Sequence, residues 1–286
     1  MNNKQRGSAF SIKLAFTLYK YFGYNFIYYF IYLITAFYFL FATNVKDALK
    51  IYYKKQGIPF SSLFYYQHLR MFAITMVDRF ISKYDPDSYM FMYENKDELR
   101  KKLNAKTILL FSHFGGWSSA ANKAITNNTI NIVMQEVMTQ GIKDIENSIP
   151  NKKDNLNIID LNQGAIKVSI DIANALSNNE VIALMADRAS NKKNIHKSDF
   201  FNEKGLFNEN PFKIAYKTKT PMLMYFVIYK KKQCYEVKVL ELEFDYTLKE
   251  KDAIKKAINN YALSFEEVLK QHPKQWFNFY NFWSEE

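Results

Sequence analysis

One stretch of this 286-residue chain combines residue types and spacing that could do chemistry: Thr107 to Ala121, TILLFSHFGGWSSAA. Thr107 to Phe111 form a short apolar run with β-branched and aromatic members, which reads as a buried strand. The run breaks at Ser112-His113-Phe114-Gly115-Gly116, and Trp117 to Ile125 can then form a helix. His113 therefore falls at the carboxyl end of a strand, on the turn into a helix, where open α/β sheets hold their ligands. A neutral imidazole there can take a proton from a hydroxyl near neutral pH. Gly115 and Gly116 permit positive φ and close approach of a substrate. A lone histidine after a strand is more often a hydrogen-bonded structural residue, so partners have to come from elsewhere in the chain.

Two carboxylates stand at comparable positions. Val181 to Ala186 is a second apolar run that leads straight into Asp187-Arg188, which puts Asp187 at a strand's carboxyl end. Glu136 directly follows Ile130 to Met134, another short strand. Each has an ordinary structural alternative: Asp187 as the partner of a backbone turn, Glu136 as the partner of a lysine. The following loop, Ala189 to Lys197, carries Lys192, Lys193, His196 and Lys197. It reads equally as a solvated charged turn and as a contact for phosphate groups.

Composition narrows the classes. Lys and Arg number 39 against 28 Asp and Glu, a net charge of +11, which suits an anionic membrane face, an acidic carrier protein or nucleic acid. Nothing beyond that charge supports nucleic acid, since no recognised binding motif is present. The single cysteine, Cys234, excludes an internal disulfide and a cysteine zinc site, and reads as a passive residue at a strand start. The four histidines, His68, His113, His196 and His272, lack ligand spacing, so no metal is expected. Neither a Walker A nor a G-x-G-x-x-G sequence occurs, which leaves a nucleotide cofactor without support.

The elements that must position these residues alternate along the chain. Tyr21 to Ala42 has no charged residue and is flanked by Lys20 and Lys46. About 20 apolar residues suffice to cross a bilayer, yet six tyrosines in this segment favour the interface. A spanning anchor and a helix lying in the interface both remain open. Residues 1–20 form a basic lead, 21–44 the membrane helix, and 45–286 an α/β domain with a helical cap. Helices are predicted over Val45 to Lys55 and Ser61 to Ile81, with Asp78-Arg79 read as an ordinary ion pair, and Asp85 to Asp97 as an irregular link. Leu156 to Leu161 is a strand. Gly164 to Leu176 is an amphipathic helix with Ile166, Ile170, Ala173 and Leu176 on its apolar face. Lys143 to Asp154 is polar, and Phe200 to Pro211 a turn-rich link. A helix is predicted over Pro211 to Lys219 and strands over Pro221 to Lys230 and Tyr235 to Tyr246. Lys249 to Gln271 is a helix with Ile254, Ala257, Ile258, Tyr261, Phe265, Val268 and Leu269 inward, ended by Pro273. The tail from Gln275 to Trp283 is too aromatic for a free terminus. It is expected to pack on the domain or touch the membrane interface. Strands alternating with helices predict a mixed, largely parallel sheet flanked by helices.

With these pieces in order, the chain resembles the lysophospholipid acyltransferase superfamily, in particular the bacterial lipid A late acyltransferases. The resemblance rests on Ser112-His113-Phe114-Gly115-Gly116-Trp117, Ala186-Asp187-Arg188, Phe200-Phe201 with Pro211-Phe212, and Pro273 with Gln275-Trp276-Phe277-Asn278-Phe279. Phe72-Ala73 and Val77-Asp78-Arg79 match the helical segment before the catalytic strand. The family's base is a His followed five positions later by Asp or Glu; here that position is Ser118. Serine cannot supply the charge that stabilises an imidazolium. Asp187 is then the first candidate for the missing acid and Glu136 the second; an unassisted base and an inactive protein are the remaining alternatives. The resemblance implies transfer of an acyl chain from acyl-carrier protein or acyl-CoA to a hydroxyl of a lipid or glycolipid, with His113 as base. It also implies an oxyanion held by N–H groups near Gly115 and Gly116, and no cofactor. Gly115, Gly116, Trp117, Ser118, Arg188, Lys192 and Lys193 would face the substrate. The place implied is the bacterial inner membrane, with the catalytic domain on the cytoplasmic side. A lipid-binding protein without catalysis on the same fold is the competing expectation.

Overall fold

The computed structural model describes residues 9–135, 155–188 and 192–284. The strands among the described residues are, in chain order, β1 (Met90–Tyr93), β2 (Thr107–Phe111), β3 (Ile130–Met134), β4 (Leu156–Asp160), β5 (Val181–Met185), β6 (Ile195–Phe200), β7 (Glu203–Asn208), β8 (Met222–Lys231) and β9 (Cys234–Leu242). Seven of them make one sheet in the order β1-β9-β8-β2-β5-β3-β4. Every neighbouring pair is parallel except β8 with β9. The chain is thus an α/β protein with a mixed, largely parallel sheet, as its strand and helix alternation predicts.

β2 and β5 lie side by side near the middle, and their sequences explain why. Every residue of β2 is buried, as are four of the five in β5. Such unbroken apolar runs belong to strands covered on both faces. Their register pairs Thr107 with Val181 and Phe111 with Met185. Counting two residues past each strand end brings His113 and Asp187 to the same edge of the sheet.

The helices are α1 (Ala9–Phe41), α2 (Thr43–Lys55), α3 (Ser62–Tyr84), α4 (Lys96–Leu103), α5 (Trp117–Asn122), α6 (Ala165–Ser177), α7 (Asn210–Thr218) and α8 (Glu250–Gln271). All seven apolar positions expected on α8 are buried. The buried face of α6 is turned from the expected one: of Ile166, Ile170, Ala173 and Leu176 only Leu176 is buried, together with Val168, Ile172 and Ala175. Both stripes have helical spacing, and the side on which the sheet lies chose between them. The expected link Asp85 to Asp97 contains the edge strand β1. The end of the expected basic loop, from Ile195, and the link after it contain the antiparallel hairpin β6–β7.

α1 is long and apolar enough to cross a membrane. It is bent at Gly23, whose φ of 72° is open to glycine at no steric cost. After the bend, Tyr24, Ile27, Ile31 and Thr35 are buried on one stripe, packed along α3. Phe22, Tyr29, Leu33, Phe37, Leu40 and Phe41 face outward. Polar contacts fix this docking. Arg70 lies 4.5 Å from the Tyr28 ring centre and 3.9 Å from that of Tyr32. Tyr24 donates to Asp78 at 2.8 Å.

Asp78 is not an ion pair with Arg79, as its sequence context suggested. It is fully buried on α3 and accepts hydroxyls from Tyr24 of α1, Tyr89 beside β1 and Tyr235 of β9. Burial raises its carboxyl to about 6, against the lowering effect of the three hydroxyls. Three elements thereby meet α3 at one carboxylate.

Candidate active site

His113 and Asp187 are in direct contact. His113 Nδ1 stands 2.9 Å from Asp187 Oδ1, and the backbone N–H of His113 donates to Asp187 Oδ2 at 2.8 Å. Trp276 Nε1–H donates to the same Oδ2 at 2.8 Å. The Tyr280 hydroxyl donates to the Asp187 carbonyl at 3.1 Å. Asp187 is 1% exposed, whereas the His113 side chain is 32% exposed. Burial alone would push the Asp187 carboxyl up. The charge and N–H of His113, with the Trp276 N–H, outweigh it and hold the group below the usual carboxylate range. An ionised carboxylate only accepts, so Nδ1 carries the proton and Nε2 keeps the lone pair. A base with its far nitrogen free, oriented by a buried carboxylate, can abstract a hydroxyl proton and hold it as imidazolium.

The loop bearing His113 is clamped from both sides. Gly116 N–H donates to the Val227 carbonyl of β8 at 2.9 Å, and Gly115 N–H to the Gln275 carbonyl at 2.8 Å. Phe277 N–H donates to the His113 carbonyl at 2.7 Å. The Gln275 amide in turn accepts from Tyr229 N–H at 2.8 Å and donates to Tyr229 O at 3.0 Å. The aromatic tail is therefore tied to the loop by a single antiparallel bridge between Trp276 and Phe114, and Trp276 is fully buried.

These bonds correct the expected oxyanion site. The N–H groups of Gly115 and Gly116 are already donated to protein carbonyls and have no hydrogen left for a substrate. The glycines serve packing. Gly115 has φ +59°, and a Cβ there would collide with the Val227 carbonyl. A Cβ at Gly116 would collide with the Tyr235 ring.

The other expected residues separate. Trp117 opens α5, half-buried, its ring centre 5.8 Å from that of Phe111. Between them and Ala120, Ala183 and Tyr225 lies an apolar hollow of about 30 Å³. Ser118 sits on α5, half-buried. Arg188 is exposed beside Asp187, its guanidinium 4.8 Å from the Tyr280 ring centre. Lys192 and Lys193 lie on the 3-10 turn Lys192–Asn194 before β6, with Lys193 exposed. Glu136 falls outside the described residues, as does Lys143 to Asp154.

A family model for the bacterial lipid A biosynthesis acyltransferases matches residues 66–285. The chain belongs to that family. It is an acyltransferase, and the match takes in His113, Asp187 and the Trp276 tail. No curated protein matches the chain. The match begins within α3, after α1 and α2.

Two residues of this acyltransferase's site were not found by sequence reasoning in the parts they play. The sequence presents Trp276 as part of an aromatic tail and not as a donor to Asp187. It presents His68 only as one of four histidines without ligand spacing. His68 is fully buried, with Nδ1 2.8 Å from the Tyr53 hydroxyl and Nε2 2.9 Å from the Trp276 carbonyl. The signal available was indirect: a histidine inside an apolar helical pattern needs two polar partners when buried.

Proposed function

We propose that this lipid A-type acyltransferase moves a fatty acyl chain from a thioester, carried by acyl-carrier protein or coenzyme A, to a hydroxyl of a glycolipid. His113 is its general base and Asp187 the acid that orients it. The observation that carries this reading is the 2.9 Å contact between His113 Nδ1 and the buried, ionised Asp187. Nε2 takes the proton as the acceptor oxygen attacks the thioester carbonyl. The C–S bond then breaks, and the leaving thiolate takes the proton back from the imidazolium. Asp187 stabilises that imidazolium. It supplies the charge that Ser118 lacks, which removes the reason to favour lipid binding without catalysis.

Arg188, one residue beyond Asp187 and exposed, is the cation nearest in sequence to the site, and it suits the developing oxyanion or an anionic head group. Lys192 and Lys193 extend the same charge toward a phosphate or an acidic carrier. The apolar lining of the hollow under Trp117 suits the apolar part of a substrate. The outward apolar face of α1 suits a bilayer, and the protein acts at the cytoplasmic face of the bacterial inner membrane.

The test is transfer of a labelled acyl group from acyl-carrier protein to a lipid A-type disaccharide in mixed micelles. His113→Ala is expected to lower the rate at least about 10³-fold, as for loss of a general base within such a pair. Retained activity in that variant would sink the mechanism.

A further inference from the structure

We infer that Trp276 is a positioning residue of the reaction, through which the C-terminal tail and the buried Tyr53–His68 pair fix the orientation of Asp187. The inference rests on His113 acting as the base.

Asp187 has two oxygens and three N–H partners. The imidazole takes Oδ1, while the His113 backbone and the Trp276 indole both take Oδ2. With Oδ2 held twice, the carboxylate cannot swing Oδ1 away from Nδ1. An indole N–H is a donor only. It can hold the carboxylate without ever competing for the proton that the pair handles, which a hydroxyl or a second imidazole could not guarantee.

Trp276 is itself fixed beyond what packing requires. Its ring lies 5.1 Å from Phe282, 5.2 Å from Tyr52 and 5.5 Å from Phe265 between ring centres, in edge arrangements. Its carbonyl faces His68 Nε2 at 2.9 Å. A carbonyl only accepts, so Nε2 carries the hydrogen and Nδ1 must accept from the Tyr53 hydroxyl at 2.8 Å. Burial keeps His68 neutral down to about 3, so this tautomer persists over the working range of pH. The result is one row of donors that runs from Tyr53 through His68 and Trp276 to Asp187, onto which His113 donates from the other side. It joins α2, α3, the tail and the ends of β5 and β2. Packing alone would need neither the indole N–H aimed at a carboxylate nor a histidine aimed at the backbone behind it.

Among the described residues, few charged groups surround Asp187. His113 faces it from the end of β2, and Arg188 follows it in the chain. Tyr261 of α8 and Tyr280 of the tail are raised by burial, Tyr280 to about 12, and stay neutral. Removing the Trp276 donor therefore acts on Asp187 with little else titrating nearby. The carboxylate, one donor short, becomes a stronger acceptor for the imidazolium N–H, and the acidic limb of the rate profile, set by the base, moves to higher pH.

The test replaces Trp276 with benzothienylalanine, which keeps the fused ring and lacks the N–H, alongside Trp276→Phe and His113→Ala. Acyl transfer from acyl-carrier protein to a lipid A-type disaccharide is followed across pH. The benzothienyl protein is expected to lose about ten- to a hundredfold in kcat, the usual effect of removing an outer partner of a reacting group. KM is expected to stay within about twofold, since no bound substrate is touched, and the acidic limb to move to higher pH. An unchanged kcat and pH profile, with His113→Ala inactive, would overturn the positioning role and leave the base assignment standing. A fall in kcat with no movement of the profile would also overturn it, as a packing effect. Full activity in His113→Ala would remove the base, and this inference with it.

Discussion

A carboxylate can serve an imidazole from any direction that leaves the far nitrogen free. In the family pattern it comes from five residues along the chain, on the helix after the histidine. In this protein that position is Ser118, and the carboxylate touching His113 is Asp187, delivered by the adjacent parallel strand. Asp187→Asn keeps the shape but presents a neutral amide to Nδ1, and the imidazole can then settle in the wrong tautomer. The expected loss is about 10²- to 10⁴-fold in kcat. Ser118→Glu in the Asp187→Asn background is expected to recover part of that loss. Steady-state acyl transfer in the single and double variants decides it. Full activity of Asp187→Asn would take Asp187 out of the mechanism. This relocation was readable from topology, because His113 and Asp187 both end central apolar runs. The Trp276 donor was not, because a tail some 89 positions further on carries no local signal of where its indole points.

At the scale of elements, α3 carries two buried titrating groups with opposite effects on stability. The folded state raises Asp78 from 3.8 to about 6, so folding favours its protonated form. That favours the fold at low pH and is lost as pH rises through about 6. The folded state lowers His68 from 6.5 to about 3, so the fold excludes that proton. Its contribution is present above about 6.5 and lost as pH falls. Between about pH 4 and 6 the two slopes oppose one another at roughly 1.4 kcal/mol per pH unit each. His196 and His272, lowered by burial to a lesser degree, share the sign of His68. Thermal midpoints from pH 7 to 5 should therefore fall more steeply for Asp78→Asn than for the native protein, and less steeply for His68→Gln. Equal slopes for Asp78→Asn and the native chain would mean that Asp78 stays ionised in the fold at no cost. The central strands and α8 were legible because a covered face leaves an unbroken apolar imprint. The β6–β7 hairpin was not, since Lys197, Asp199, Glu203 and Lys204 are exposed and its strands look like a charged loop. The face of α6 was misread for a related reason: two apolar stripes compete on it, and only the neighbouring sheet selects one.

For the whole molecule, α1 is long and apolar enough to cross a membrane and is also part of the folded body. Its inner stripe packs on α3 and its Tyr24 hydroxyl completes the Asp78 cluster. Deleting it would strip α3 as well as detach the protein, so an informative change leaves the inner stripe alone. Replacing Phe22, Leu33, Phe37 and Leu40 with Gln should move most of the protein from the membrane pellet to the supernatant while its thermal midpoint shifts by only a few degrees. Each side chain contributes about 1.5–3 kcal/mol to partition when buried in lipid. Unchanged sedimentation would mean that the outward face does not bind the bilayer. The order of elements along the chain also sets an order in time. α1 leaves the ribosome before Trp276, on which the orientation of Asp187 depends. At about 5–20 residues per second the interval is on the order of tens of seconds. The outward apolar face of α1 is thus made well before the row that orients Asp187, and a chain stopped in between carries the one without the other.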